Sequence, residues 1–209
     1  MVRLRVRIRF CKQDDLRLIG HRDLMRCFER IFRRAGLALG MSQGFHPKPR
    51  MTFPLPLAVG IAGLDEVMEF ELAEPLDAEE ALVRLKSQTP PGLILRSLEM
   101  LPPGAKKARA RSASYQTPVP LPMQTDLGER IASLLDKSSC IIARSGGRSS
   151  VDLRPLLEEL TLREGLLSMR LRTDQEGSAG PREVLSVLGL DRLETQGLHL
   201  TRSEVELCH

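Results

Sequence analysis

The sequence predicts an α+β fold built as two tandem ferredoxin-like (βαββαβ) units, antiparallel sheets with helices on one face. Three observations predict it. Residues 2–10 alternate apolar and charged with strict period two, residues 21–35 carry one buried helical stripe, and the 209-residue chain runs strand, helix, strand, strand, helix, strand twice. No residue-level repeat relates the halves, so a single larger α+β sheet is the structural alternative. At 42% hydrophobic content a core can form without disulfides.

In the first strand Val2, Leu4, Val6, Ile8 and Phe10 share one face, and Arg3, Arg5, Arg7 and Arg9 share the other. A turn over residues 12–15 leads into a helix over 21–35, where Leu24, Phe28, Ile31 and Ala35 form the buried stripe and Gly36 marks the stop. A loop to Arg50 precedes a strand over 51–57, which Pro54 and Pro56 confine to an edge or bulge. Residues 67–72 read as a strand with acidic alternates Glu69 and Glu71. Asp77 then caps a helix to about Ser87, and residues 93–98 close the unit as a strand.

Residues 101–113, LPPGAKKARARSA, lack periodicity and read as a basic linker between a domain over 1–100 and a second over 114–209. The second unit is expected to run as a Pro-broken strand over 115–121, a helix over 126–135, a short strand over 140–143, a strand over 166–171, a helix from Pro181 and a strand over 198–207. Residues 151–164 fit neither period.

Charge is distributed unevenly. Residues 1–50 hold 13 Lys/Arg against 4 Asp/Glu, residues 51–100 hold 3 against 9, and the net charge is +4. A local excess of this kind suits a polyanion or an acidic protein partner. Aromatic stacking surface is confined, because all six Phe lie in the first 70 residues and the chain has one Tyr and no Trp. There is no run of 18 apolar residues and no signal-peptide core, so the expectation is a cytoplasmic protein with no membrane segment. Cys11, Cys27, Cys140 and Cys208 show no metal-ligand spacing; buried free thiols are expected, with no metal and no cofactor.

Two features are candidates for binding. One is the stripe Arg3, Arg5, Arg7 and Arg9, since arginine suits bidentate phosphate contact, although half-solvated edge strands also alternate charge. The other is the loop Ser42-Gln43-Gly44-Phe45-His46-Pro47-Lys48-Pro49-Arg50. There Pro47 and Pro49 hold His46 and Lys48 extended, so that Phe45 can stack a base while His46, Lys48 and Arg50 meet phosphates. The competing reading makes Phe45 a core plug. His21 and His46 are the candidate acid and base of a metal-independent RNA cleavage. His21-Arg22-Asp23 matches the start of a kinase catalytic loop, but the rest of that signature is missing, and Gly146-Gly147-Arg148-Ser149-Ser150 lacks phosphate-loop spacing.

The run GHRDLMRCFERIFRRAGLALGMSQGFHPKPRMTFPLPLAVGI, with the first strand before it, resembles the radical SAM-associated domain of unknown function, a bacterial family found beside or fused to cobalamin-type radical SAM proteins. The likeness covers about residues 3–72, and the family's usual Ser before the helix His is Gly20 here. It implies an accessory role with a radical SAM enzyme in RNA modification. The chain has no C-x-x-x-C-x-x-C, so any such cluster belongs to the partner. The sequence thus leads to an RNA-binding or substrate-presenting accessory protein, itself without catalysis, that contacts RNA through Arg3, Arg5, Arg7, Arg9, Phe45, His46, Lys48 and Arg50. The alternatives are a metal-independent endoribonuclease with His46 as its first candidate residue and His21 as its second, and an adaptor that docks the radical SAM protein without RNA.

Overall fold

The computed structural model describes residues 4–144, 150–173 and 179–208. It divides into two units, Met1–Arg109 and Ala110–His209. Both are mixed α+β, each with an antiparallel sheet and few helices.

In the first unit β1 (Leu4–Lys12) forms where the alternation is strictest, and Val6, Ile8 and Phe10 have no exposed surface. A 3-10 turn leads to α1 (His21–Arg34), whose buried stripe is Leu24, Cys27, Phe28, Ile31 and Phe32. Gly36 ends it in the left-handed region, at φ 67°, where a side chain would be strained. Next come β2 (Met51–Thr52), β3 (Ala62–Leu72), α2 (Ala78–Lys86) and β4 (Leu93–Met100). Their sheet order is β4-β1-β3, with β2 pairing the outer edge of β3. The strand expected over 51–57 stops after two residues, because the pairing on β3 ends just before Pro54 removes the next donor.

The core of this unit lies between the inner face of the sheet and the helices, joining Val6, Ile8 and Phe10 to Leu24, Phe28, Ile31, Phe32, Phe70 and Leu85. Its centre is aromatic. Phe10 meets Phe28 edge-on at 5.1 Å between ring centroids, Phe32 meets Phe70 at 4.6 Å, and Phe53 sits 6.0 Å from Phe28. Five of the six Phe are therefore spent on packing.

The segment expected as a linker behaves differently along its length. Leu101 is buried and its N–H donates to the Arg5 carbonyl at 2.8 Å, so 101–109 folds back on the first unit. Residues 110–113 open β5 (Ala110–Pro118).

The second unit continues with α3 (Leu121–Gln124), α4 (Leu127–Leu135), β6 (Ile141–Ile142), β7 (Val151–Asp152), β8 (Leu157–Arg163), β9 (Leu166–Arg172), α5 (Pro181–Val187) and β10 (Thr201–Leu207). Its sheet order is β10-β5-β9-β8. The strand expected over 140–143 is β6, which pairs only with β7 in a separate ribbon. Its place in the main sheet is taken by β8, from the stretch that fitted neither period. β8 and β9 form a hairpin over Glu164 and Gly165, at φ 51° and 75°, the left-handed pair that a two-residue turn requires. The glycine-rich 146–149 lie outside the described residues.

The thiols divide. Cys11 and Cys27 are buried as expected, but Cys140 is half-buried and Cys208 exposed, because one precedes the β6 ribbon and the other follows the last strand.

Candidate nucleic-acid interface

Arg3 lies outside the described residues. Arg5, Arg7 and Arg9 stand on the face of β1 opposite the core, and the register sets Arg7 across from Glu69 and Arg5 across from Glu71. Each finds a carboxylate. Glu69, 2% exposed, accepts from Arg7 Nε at 3.2 Å and Nη2 at 2.9 Å through Oε1, while its Oε2 accepts from the Ala108 N–H at 3.2 Å and lies 3.6 Å from Arg5 Nη1. Arg7 Nη1 is also 3.8 Å from Glu99, Arg9 pairs with Asp65, and Arg5 Nη2 donates to the Ala105 carbonyl. The stripe is an ion-pair ladder. Its carboxylates went unmatched in the sequence reading, although the shared period of the two strands puts Arg7 and Glu69 on facing positions once they pair.

The loop is built otherwise. Its base is tied to β3: Gly40 N–H donates to the Glu71 carbonyl at 2.7 Å, Glu71 N–H to the Arg50 carbonyl at 3.2 Å, and Arg50 N–H to the Gly40 carbonyl at 2.9 Å. Only glycine fits at position 40, since an added Cβ would lie 2.7 Å from Glu71 Cβ. Above this, Ser42 clamps Lys48, its N–H donating to the Lys48 carbonyl at 2.8 Å and its Oγ accepting from the Lys48 N–H at 2.9 Å. Beyond the clamp nothing among the described residues covers the tip. Phe45 is 103% exposed, and His46 and Lys48 are exposed beside it. The core-plug reading of Phe45 is excluded. Arg50 turns back, its Nε donating to the Met41 carbonyl at 3.1 Å and lying 3.7 Å from Glu71 Oε2.

The two histidines occupy different settings. His21 begins α1 with its ring edge-on to Phe53 at 5.0 Å, and its Nδ1 is buried with no hydrogen-bond partner. Burial, with the Lys12 charge, lowers its pKa below the ordinary histidine value, which favours a neutral packed ring. His46 stands in solvent on the loop. Beside the loop base a cavity of 540 Å³ opens, lined by Arg5, Lys48, Arg50, Lys107, Glu69 and Glu71 among others. Among the described residues no group of three His, Cys, Asp or Glu is arranged for a metal ion, and no helix is long and apolar enough to cross a membrane.

Among solved structures, an unknown protein from Galdieria sulphuraria shares 15% identity over 100% of both chains, at a TM-score of 0.29. A putative glycine cleavage system transcriptional repressor shares 8% identity over 100% of this chain and 99% of its own, at a TM-score of 0.26. Likeness at that level bears on neither fold nor function. No curated protein matches the chain. A family model does match, over residues 5–181, a span that takes in the first unit from Arg5 onward and most of the second. The chain therefore belongs to the family described as "Uncharacterized protein conserved in bacteria (DUF2344)".

Proposed function

We propose that this protein binds RNA as a substrate-presenting accessory to a radical SAM enzyme, with the loop 42–50 as its contact. One observation carries the reading: Phe45 is 103% exposed while the other five Phe pack together in the first unit. A solvated aromatic at the tip of a clamped loop, beside an imidazole and a lysine that has no ion pair among the described residues, is a surface on which an unpaired base stacks while its phosphate meets a cation. Arg5, Arg7 and Arg9 are committed to carboxylates, so the binding weight moves from the strand to the loop. The radical SAM partner is supported by the sequence likeness over about residues 3–72, and RNA modification by the same likeness. The order β4-β1-β3-β2 in one unit, on strand-helix-strand-strand-helix-strand connections, and β10-β5-β9-β8 in the other, with α3, α4 and the β6–β7 ribbon between β5 and β8, supports reading both as ferredoxin-like.

The test is fluorescence anisotropy of a labelled single-stranded RNA at low and moderate salt. Phe45→Ala should weaken binding about 5- to 150-fold, the ~1–3 kcal/mol of one stacked base, and Arg9→Gln should change it by less than about threefold. Affinity should fall as salt rises. RNA that fails to bind even at low salt, or that binds Phe45→Ala as well as the parent, would sink the reading. The same exposed Phe also suits a hot spot for a protein pocket. Capture of the radical SAM enzyme after nuclease treatment, by a chain with no RNA affinity, would select that adaptor instead.

A further inference from the structure

Beyond the loop tip, we infer that the 540 Å³ cavity at the loop base is a binding site for a phosphorylated nucleoside, taken either as a free mononucleotide or as one unpaired nucleotide of an RNA strand. Its volume falls within the roughly 300–1,000 Å³ of small-ligand pockets. Four segments wall it: β1 at Leu4 and Arg5, Ser42 with residues 48–52, β3 at 69–71, and residues 101–105 with Lys107. The last is folded into a wall by a tight turn, in which Gly104 takes φ 80° and the Ala105 N–H donates to the Pro102 carbonyl at 3.1 Å.

The charges around it do not cancel. Glu69 spends its oxygens on Arg7 and the Ala108 N–H, and Glu71 Oε2, itself buried, lies 3.7 Å from Arg50 Nε, beyond hydrogen-bond length. Arg5 gives Nη2 to the Ala105 carbonyl, and its Nη1 is buried without a hydrogen-bond partner, with Glu69 Oε2 3.6 Å away and beyond hydrogen-bond length. Among the described residues Lys48 and Lys107 have no ion pair. Four cations face two carboxylates, which leaves Lys48 and Lys107 as donors for an anion of phosphate size. Apart from Ser42 and Thr52, the rest of the lining is apolar. Leu4, Met51, Leu101, Pro102 and Pro103 supply a surface that a bare phosphate would leave uncovered and a flat base would cover.

The site is tested by calorimetric titration of the full chain with AMP, GMP, CMP and UMP, with the uncharged nucleosides and inorganic phosphate as controls. At least one nucleotide should bind saturably, and its nucleoside and phosphate alone should each bind at least about tenfold more weakly. The Lys48→Glu/Lys107→Glu chain, changed only at exposed side chains, should lose about tenfold or more, whereas Phe45→Ala should keep the parent affinity. Displacement of the nucleotide by single-stranded RNA identifies a strand as its source, and persistence identifies the free nucleotide; either supports the site. Absence of saturable binding by all four nucleotides, phosphate binding as tightly as they do, or an unchanged affinity in the double-lysine variant would overturn it. RNA binding that depends on Phe45 with no nucleotide binding would remove the cavity and leave the loop, and the reverse pattern would remove the loop and leave the cavity.

Discussion

Glu69 shows at the scale of one residue how this protein uses charge. A carboxylate 2% exposed would be costly alone, and here two guanidinium nitrogens of Arg7, one of Arg5 and a backbone N–H surround it. Removing a partner from such a group leaves part of its charge uncompensated, which matters more than the pair's net attraction. Arg7→Ala should therefore destabilise the fold by about 2 kcal/mol in urea denaturation. By contrast Arg84→Ala, which breaks the exposed Glu80–Arg84 pair on α2, should cost no more than about 0.5 kcal/mol. Equal losses would mean that Glu69 is solvated in solution.

At the scale of elements, the two helices of the first unit begin differently. Asp77 Oδ1 accepts from the Glu79 N–H at 2.9 Å and the Glu80 N–H at 3.0 Å, so α2 starts on a capped turn. Gly20 begins α1 with no side-chain bond, in an extended conformation that any residue adopts. The long apolar stripe of α1 makes a cap less necessary there, since packing supplies most helix stability. Asp77→Ala should cost about 1 kcal/mol, and Gly20→Ser should gain a few tenths, measured as urea midpoints. A Cβ at Gly20 meets only Val59 Cγ2 at 3.9 Å and Asp23 Oδ2 at 4.0 Å, so no clash opposes the gain. A loss on Gly20→Ser would show that position 20 needs glycine for another reason.

For the whole molecule the charged groups set a pH response. Asp152 is held below the ordinary carboxylate range by the Cys140 N–H and the Ser139 hydroxyl, Glu194 by Arg182, and Glu206 by the Ser112 hydroxyl and Arg111. Each contributes stability that is present above the unfolded carboxylate value and lost as pH falls through the lower folded one. His21, lowered chiefly by burial, acts in the same direction at a higher pH: the unfolded chain takes up its proton first, so stability declines as pH drops below the ordinary histidine value. The melting temperature should thus be highest near neutrality and fall on both steps into acid. His21→Gln should remove the decline between about pH 7 and pH 5 and leave the later one. A profile unchanged by that substitution would mean that the His21 ring is solvated.

The sequence by itself determined the elements whose period is unbroken. β1, α1, α2 with its Asp cap, and β9 were legible because each buries one face against a core, and one-sided burial writes a period into the chain. The β8–β9 hairpin was not legible, because its turn is Glu-Gly and residues 151–164 hold a short strand, a 3-10 turn and a second strand in quick succession. Only the tertiary structure decided the site. Alternation puts arginines on one face of β1 but does not say that acids of β3 will meet them; register does. The sequence of the loop left Phe45 free to be plug or tip, and the hydrogen bonds from Gly40 and Ser42 to residues brought beside them made it a tip. The cavity is the extreme case, since its walls include residues 100 positions apart, as in the Arg5 to Ala105 bond, and no local pattern records that approach.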